Sequence, residues 1–163
     1  MTGTILLVED EENDVTLMQR ALNKAVVVNP VHVVHDGREA VDYFEGIGRF
    51  GNRKEFPLPC LVLLDLKLPY VMGLDVLKWI RQRPGVATIV IVLSSSPAKA
   101  DIAAAYRLGA NAFLVKPPAA SQLLGMVKAI KDFWLTQNTP SPASPMQNTD
   151  RPIYEPKTIY ADR

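Results

Sequence analysis

Two hydrophobic periods alternate along the chain. Thr4–Val8, Cys60-Leu61-Val62-Leu63-Leu64 and Thr88–Leu93 are near-continuous apolar runs of strand length. Runs without polar alternation belong to strands buried on both faces, as at the centre of a parallel sheet covered by helices. Between them the apolar positions open out to helical spacing: Leu17, Met18, Ala21, Leu22 and Ala25, then Ala40, Val41 and Phe44, then Leu74, Leu77, Trp79 and Ile80. Val31–Val34 and Ala112–Val115 are shorter strand-like stretches, and the segments from Ala98 to Gly109 and from Ser121 to Gln137 complete the helices.

Breakers punctuate the same pattern. Asn29-Pro30 and Pro84-Gly85 end helices, while Ser96 and Pro97 predict an N-cap and a first helical residue. Gly46 to Pro59, with glycine, proline and the basic residues Arg49, Arg53 and Lys54, predicts a surface loop. Five strands alternating with five crossover helices predict an α/β fold, a flavodoxin-like doubly wound five-stranded parallel sheet. That domain takes residues 1–137. Residues 138–163, with Pro140, Pro142, Pro145, Pro152 and Pro156 among Ser, Thr, Asn and Gln, predict an extended or disordered tail.

Composition narrows the class. The 163 residues carry 18 basic and 17 acidic side chains, for a net charge of +1, and no basic run, so neither nucleic acid nor an anionic membrane is an expected partner. Cys60 is the one cysteine, which excludes an internal disulfide; in an apolar run it suits a small buried hydrophobe. No stretch approaches the ~18 apolar residues of a membrane span, and Met1-Thr2-Gly3-Thr4 has no basic leader. A cytoplasmic protein is expected.

Chemistry gathers where the strands end. The first delivers Glu9 and Asp10, the third Asp65, the fourth Ser94 and Ser95, and the fifth Lys116. Each has an ordinary reading alone: a turn-opening aspartate, an acidic helix start, a capping serine, a surface lysine. In an open α/β sheet, however, these ends share one crevice, where ligands bind. Carboxylates converging there repel by roughly 4 kcal/mol per close pair at an effective dielectric of about 20. Such a pocket protonates or holds a cation, and an all-oxygen set with room for water suits Mg²⁺.

In this order the residues resemble a response-regulator receiver domain. The resemblance spans Thr4 to about Gln137: an acidic pair after the first strand (Glu9-Asp10), an acceptor aspartate ending the third (Asp65) with Pro69 and Gly73 after it, a hydroxyl ending the fourth (Ser94), and Lys116-Pro117 ending the fifth. It implies that Asp65 accepts a phosphoryl group from a histidine kinase. It further implies Mg²⁺ held by Asp10, Asp65, the Lys67 carbonyl and Glu9, Lys116 pairing with the phosphoryl group, and Ser94 and Phe113 acting as switch residues. A cis Lys116-Pro117 bond is implied as well. The chain departs from the common pattern at Glu9, Ser94 and Phe113, where aspartate, threonine and tyrosine are frequent. Val41-Asp42-Tyr43-Phe44, Pro57-Leu58-Pro59 and Phe133-Trp134-Leu135 resemble single-domain regulators paired with phytochrome-type kinases.

Three rival readings fit less well. An aspartyl-nucleophile phosphatase of the haloacid-dehalogenase type wants a second aspartate where Lys67 stands. A flavin mononucleotide protein wants a phosphate cradle where Glu9-Asp10-Glu11-Glu12 would repel phosphate. A degenerate receiver that only binds would lack the acceptor, acids or lysine. The expectation is therefore a signalling protein, not an enzyme with a separate substrate. With no output domain expected after residue 137, its action is expected to run through protein–protein contact or phosphorelay. Leu123, Val127, Ile130 and Trp134 make one apolar stripe on the last helix, and Met126, Ala129 and Phe133 a second. The first should face the sheet. The second, with Tyr106 and Phe113, predicts a homodimer through the last helix, fourth helix and fifth strand. His32 and His35 have no partners at metal-ligand spacing, and Trp79 reads as packing.

Overall fold

In the computed structural model, which describes residues 3–139, strand and helix alternate throughout. The strands are β1 (Ile5–Val8), β2 (Val31–Val34), β3 (Leu61–Asp65), β4 (Ile89–Ser94) and β5 (Ala112–Val115). The helices are α1 (Glu12–Lys24), α2 (Gly37–Glu45), α3 (Gly73–Arg81), α4 (Lys99–Arg107) and α5 (Ala120–Ile130). All strand pairs are parallel, in the order β2-β1-β3-β4-β5. The predicted flavodoxin-like sheet is the fold the chain adopts.

The unbroken apolar runs have a direct cause. Successive strand residues point to opposite faces, and here both faces are covered. Leu6, Val8, Val62, Leu64, Val90 and Val92 pack with α2 and α3 side chains such as Val41, Phe44, Leu77 and Trp79. Ile5, Leu7, Leu61, Leu63, Ile91 and Leu93 pack with Met18 and Leu22 of α1 and Leu123 and Val127 of α5. The chain runs outward from β1 to β2, then crosses back to β3 and on to β5. The carboxyl ends of β1 and β3 therefore lie at the point where strand order reverses, which opens a crevice there.

Glycine locks the β3–α3 connection against that crevice. A Cβ at Gly73 would overlap the Asp65 carbonyl oxygen and crowd the Leu66 Cα, and one at Gly37 would overlap the Val71 carbonyl. The Gly73 amide also donates to the Leu66 carbonyl at 3.1 Å. The backbone around Asp65 is thus held by close packing from two helices.

Three elements differ from expectation. α4 begins at Lys99 behind Ala98, with no side-chain cap; the Ser96 amide bonds the Ser94 hydroxyl at 3.2 Å instead of opening a helix. The last helix is α-helical only to Ile130 and continues as a π-helix over Lys131–Gln137. Its wider turn changes the register, so Leu123, Val127, Ile130 and Leu135 are the buried residues and Trp134 is half-buried. The segment after α2 is more than a surface loop. Phe50, in a 3₁₀ turn over Gly48–Phe50, is buried, and the Arg53 guanidinium donates to the carbonyls of Tyr43 (2.7 Å), Phe56 (3.1 Å) and Phe44. It thereby ties the last turn of α2, where helical carbonyls run out of amide partners, to the segment that follows.

Trp79 packs in the core as expected, and His32 sits 3.1 Å from the Tyr43 hydroxyl. Cys60 is half-buried rather than fully enclosed. Among the described residues no helix is long and apolar enough to cross a membrane. The expectation of an extended tail falls on residues that, beyond Asn138 and Thr139, lie outside those described.

Candidate functional site

Glu9 and Asp10 follow β1 directly, and Asp65 is the last residue of β3, so the strand pairing itself sets the three carboxylates side by side. One oxygen from each lies within 4.8 Å of the others. Glu9 and Asp65 are buried, 2% and 6% exposed, while Asp10 is half-buried. The Lys67 amide donates to Asp65 Oδ2 at 2.9 Å, which fixes the carboxylate's orientation. The Glu11 amide does the same for Glu9 Oε1 at 3.3 Å.

Lys116 closes the pocket from β5. Its amide donates to the Ser94 carbonyl at 2.8 Å, extending the β4–β5 ladder by one step. Its ammonium lies 2.5 Å from Glu9 Oε2, 3.0 Å from Asp14 Oδ2 and 3.1 Å from Asp65 Oδ1. The expected cis bond to Pro117 is corrected: no peptide bond among the described residues is cis. The lysine side chain is long enough to reach over the pocket by itself, so the backbone need not turn back.

The electrostatics follow from burial and partners. Burial pushes the Glu9 carboxyl up, and Asp65 beside it adds to this; the hydrogen bond and charge of Lys116 pull it back only in part. Burial would lower Lys116, but its bonds to Glu9 and Asp14 and the charges of Asp65 and Glu9 reverse that and hold it above its ordinary value. Lys116 stays an ammonium at neutral pH.

The remaining predicted residues are close by in the fold but differently engaged. Ser94 is buried at the end of β4, and its hydroxyl donates to the Ser96 carbonyl at 3.1 Å. Phe113 lies on β5 opposite Val92, half-buried against the core, with its amide donating to the Tyr106 hydroxyl at 3.3 Å. Lys67 is exposed. Asp14 is the site residue that sequence reading missed. In the first turn of α1 it looks like an ordinary dipole-complementing acid, yet its carboxylate lies 3.0 Å from the Lys116 ammonium. No local spacing signals that contact, since the two residues are 102 apart in the chain.

This donor set fits a hard divalent cation. It is all oxygen, two of its carboxylates are shielded from water, and the crowded negative charge needs more than one ammonium to offset it. Residues positioned for charge neutralisation beside an oriented carboxylate are what phosphoryl transfer asks of a protein.

Comparison with known proteins agrees with this geometry. Residues 5–128 match the family described as the response regulator receiver domain. Over 132 residues, 80% of this chain and 88% of the relative, the chain is 37% identical to the response regulator Rcp1 of Synechocystis sp.. Among solved structures, the phosphorylated cyanobacterial phytochrome response regulator RcpA superposes with a TM-score of 0.80 at 38% identity, covering 87% of this chain and all (100%) of that one. The Mn²⁺-bound form of Rcp1 superposes with a TM-score of 0.77 at 34% identity, covering 86% and 99%.

Proposed function

The chain belongs to the response regulator receiver domain family, and on that premise we propose that Asp65 is its phosphoacceptor, fed by a histidine kinase. The observation that carries the assignment is the Lys116 ammonium 3.1 Å from Asp65 Oδ1, at the mouth of the Glu9–Asp10–Asp65 cluster. A carboxylate oxygen of Asp65 attacks the phosphorus of a phosphohistidine. The P–N bond breaks as the acyl-phosphate P–O bond forms, and the imidazole leaves with the bonding pair. The Lys67 amide keeps the acceptor oriented. Lys116 moves from its resting partners to pair with the phosphoryl oxygens, and the Ser94 hydroxyl leaves the Ser96 carbonyl to donate to them.

Glu9, Asp10, Asp65 and the Lys67 carbonyl are the ligands proposed for Mg²⁺. The ion, when bound, neutralises charge on the transferring group. Withdrawal of Ser94 toward the acceptor would loosen the end of β4, beside Phe113, and bias a two-state equilibrium on that face. That face is proposed to mediate a homodimer. Tyr106 of α4, Val115 of β5 and Phe133 of the terminal helix are 52%, 43% and 54% exposed, which supports the reading. The protein is a signalling device whose own chemistry is limited to gaining and losing its phosphate, and we place it in the cytoplasm.

The likeness to RcpA, a cyanobacterial phytochrome response regulator, supports a phytochrome-type kinase as the donor. The test is phosphotransfer. Label on such a kinase should move to the full-length chain in the presence of Mg²⁺ and should not move to Asp65→Asn. Sedimentation with and without phosphodonor tests the dimer: a monomer in both states sinks it, and loss of a dimer on Phe133→Glu places it.

A further inference from the structure

Lys116 is held by three oxygens, and only two of them belong to the carboxylates that cluster for a cation. Glu9 Oε2 at 2.5 Å and Asp65 Oδ1 at 3.1 Å come from that cluster; Asp14 Oδ2 at 3.0 Å does not. A divalent ion bound among Glu9, Asp10 and Asp65 competes with Lys116 for the charge of the Glu9 and Asp65 carboxylates and repels its ammonium. The ammonium must then give way. Asp14 is the partner that lets it do so without leaving. It stands on a different element, the first turn of α1, and its side chain is 41% exposed against 3% for Glu9, so its carboxylate has room to follow the lysine.

We propose that Asp14 is a positioning residue, the counter-ion that retains Lys116 at the pocket edge when a divalent cation occupies the Glu9–Asp10–Asp65 cluster. It holds the ammonium within reach of the acceptor while releasing it from the ligand oxygens. An ammonium with three donors needs such a holding partner, because a lysine freed to solvent loses its geometry along with its contact. The inference rests on the cation-site reading above and adds to it a residue outside the ligand set.

The test is calorimetric titration of Mg²⁺ into the full-length protein, with no phosphodonor, for single and paired variants. Asp14→Asn should weaken Mg²⁺ binding about threefold, less than the roughly fivefold upper range of a partly exposed ion pair. The pair already stands without the metal, so only its strengthening on binding counts. Asp14→Glu should stay within about twofold of the parent. In a Lys116→Met background, with Lys116→Gln as the substitute should methionine fold poorly, Asp14→Asn should change affinity by less than about twofold. Equal loss in both backgrounds would mean that Asp14 acts as a distant charge and overturns the proposal, as would an unchanged affinity with Lys116 present. So would Asp14→Glu losing as much as Asp14→Asn. Unchanged binding in Asp10→Asn overturns the cation-site reading instead, whatever Asp14 does.

Discussion

Lys116→Met removes the ammonium and keeps most of the side chain's bulk. In the parent that ammonium meets carboxylate oxygens at 2.5, 3.0 and 3.1 Å, and each contact is worth roughly 5–7 kcal/mol of attraction at an effective dielectric of about 20. Desolvation of the charges cancels much of this, and breaking a buried pair by deleting one partner typically costs about 3–5 kcal/mol. Asp14, at 41% exposure, is rehydrated easily and contributes little to the loss. Glu9 and Asp65 are left facing each other inside 4.8 Å with nothing between them. A destabilisation of about 3 kcal/mol at pH 7 without metal is expected. For a urea slope of about 2 kcal/mol/M, that lowers the unfolding midpoint by roughly 1.5 M. Saturating Mg²⁺ should narrow the gap, because the ion replaces the missing charge in the variant and must displace the lysine in the parent. At about a hundredfold excess over its dissociation constant it supplies about 2.7 kcal/mol to whichever state binds it. Urea unfolding of both proteins, with and without Mg²⁺, is the assay. Equal midpoints without metal would refute the premise that the lysine neutralises this pocket. A gap that Mg²⁺ leaves unchanged would refute the competition between lysine and metal.

Tyr43 is fully buried, and burial pushes its hydroxyl up to about 12 despite the favourable charge of Arg53. A folded value raised above the unfolded 10.0 stabilises the protein fully below pH 10, and that stability is lost as pH rises through the folded value. Roughly 2–3 kcal/mol should disappear between those limits; Tyr43→Phe should flatten that part of the curve, and an unchanged curve would remove Tyr43 as its source. Gly73→Ala sits at a helical position where alanine ordinarily gains about 1 kcal/mol, but its Cβ meets the Asp65 carbonyl. The predicted result is a net loss of about 1–3 kcal/mol, read as a lower melting temperature; a gain would show that the β3–α3 connection has slack.

The legible parts were those that local pattern alone determines. Leu61 to Leu64 had to be continuous because helices cover both faces of β3, and the sequence shows this as an unbroken apolar run. Glu9, Asp10, Asp65 and Lys116 were legible because parallel strands deliver their carboxyl ends to one edge. What stayed hidden depends on contacts across the fold. Ser96 looks like a helix cap, but its amide is taken by Ser94, and α4 starts later. Trp134 continues a 3.6-residue stripe and packs half-buried on the same cluster, but the π-helix also turns Leu135 into it, which the stripe does not show. The lysine side chain's reach made a cis proline unnecessary, and no sequence period reports Arg53 tying the end of α2 to the segment that follows it. Asp14 was missed for the same reason: its partner lies 102 residues away.

Phosphate location in the intact protein tests the central claim most directly. Full-length chain incubated with Mg²⁺ and a small phosphodonor, then measured by intact mass and mapped by fragmentation, should carry one phosphate, on Asp65, and Asp65→Asn should carry none. Undiminished uptake by Asp65→Asn, or a phosphate mapped to any other residue of the parent protein, would contradict the account.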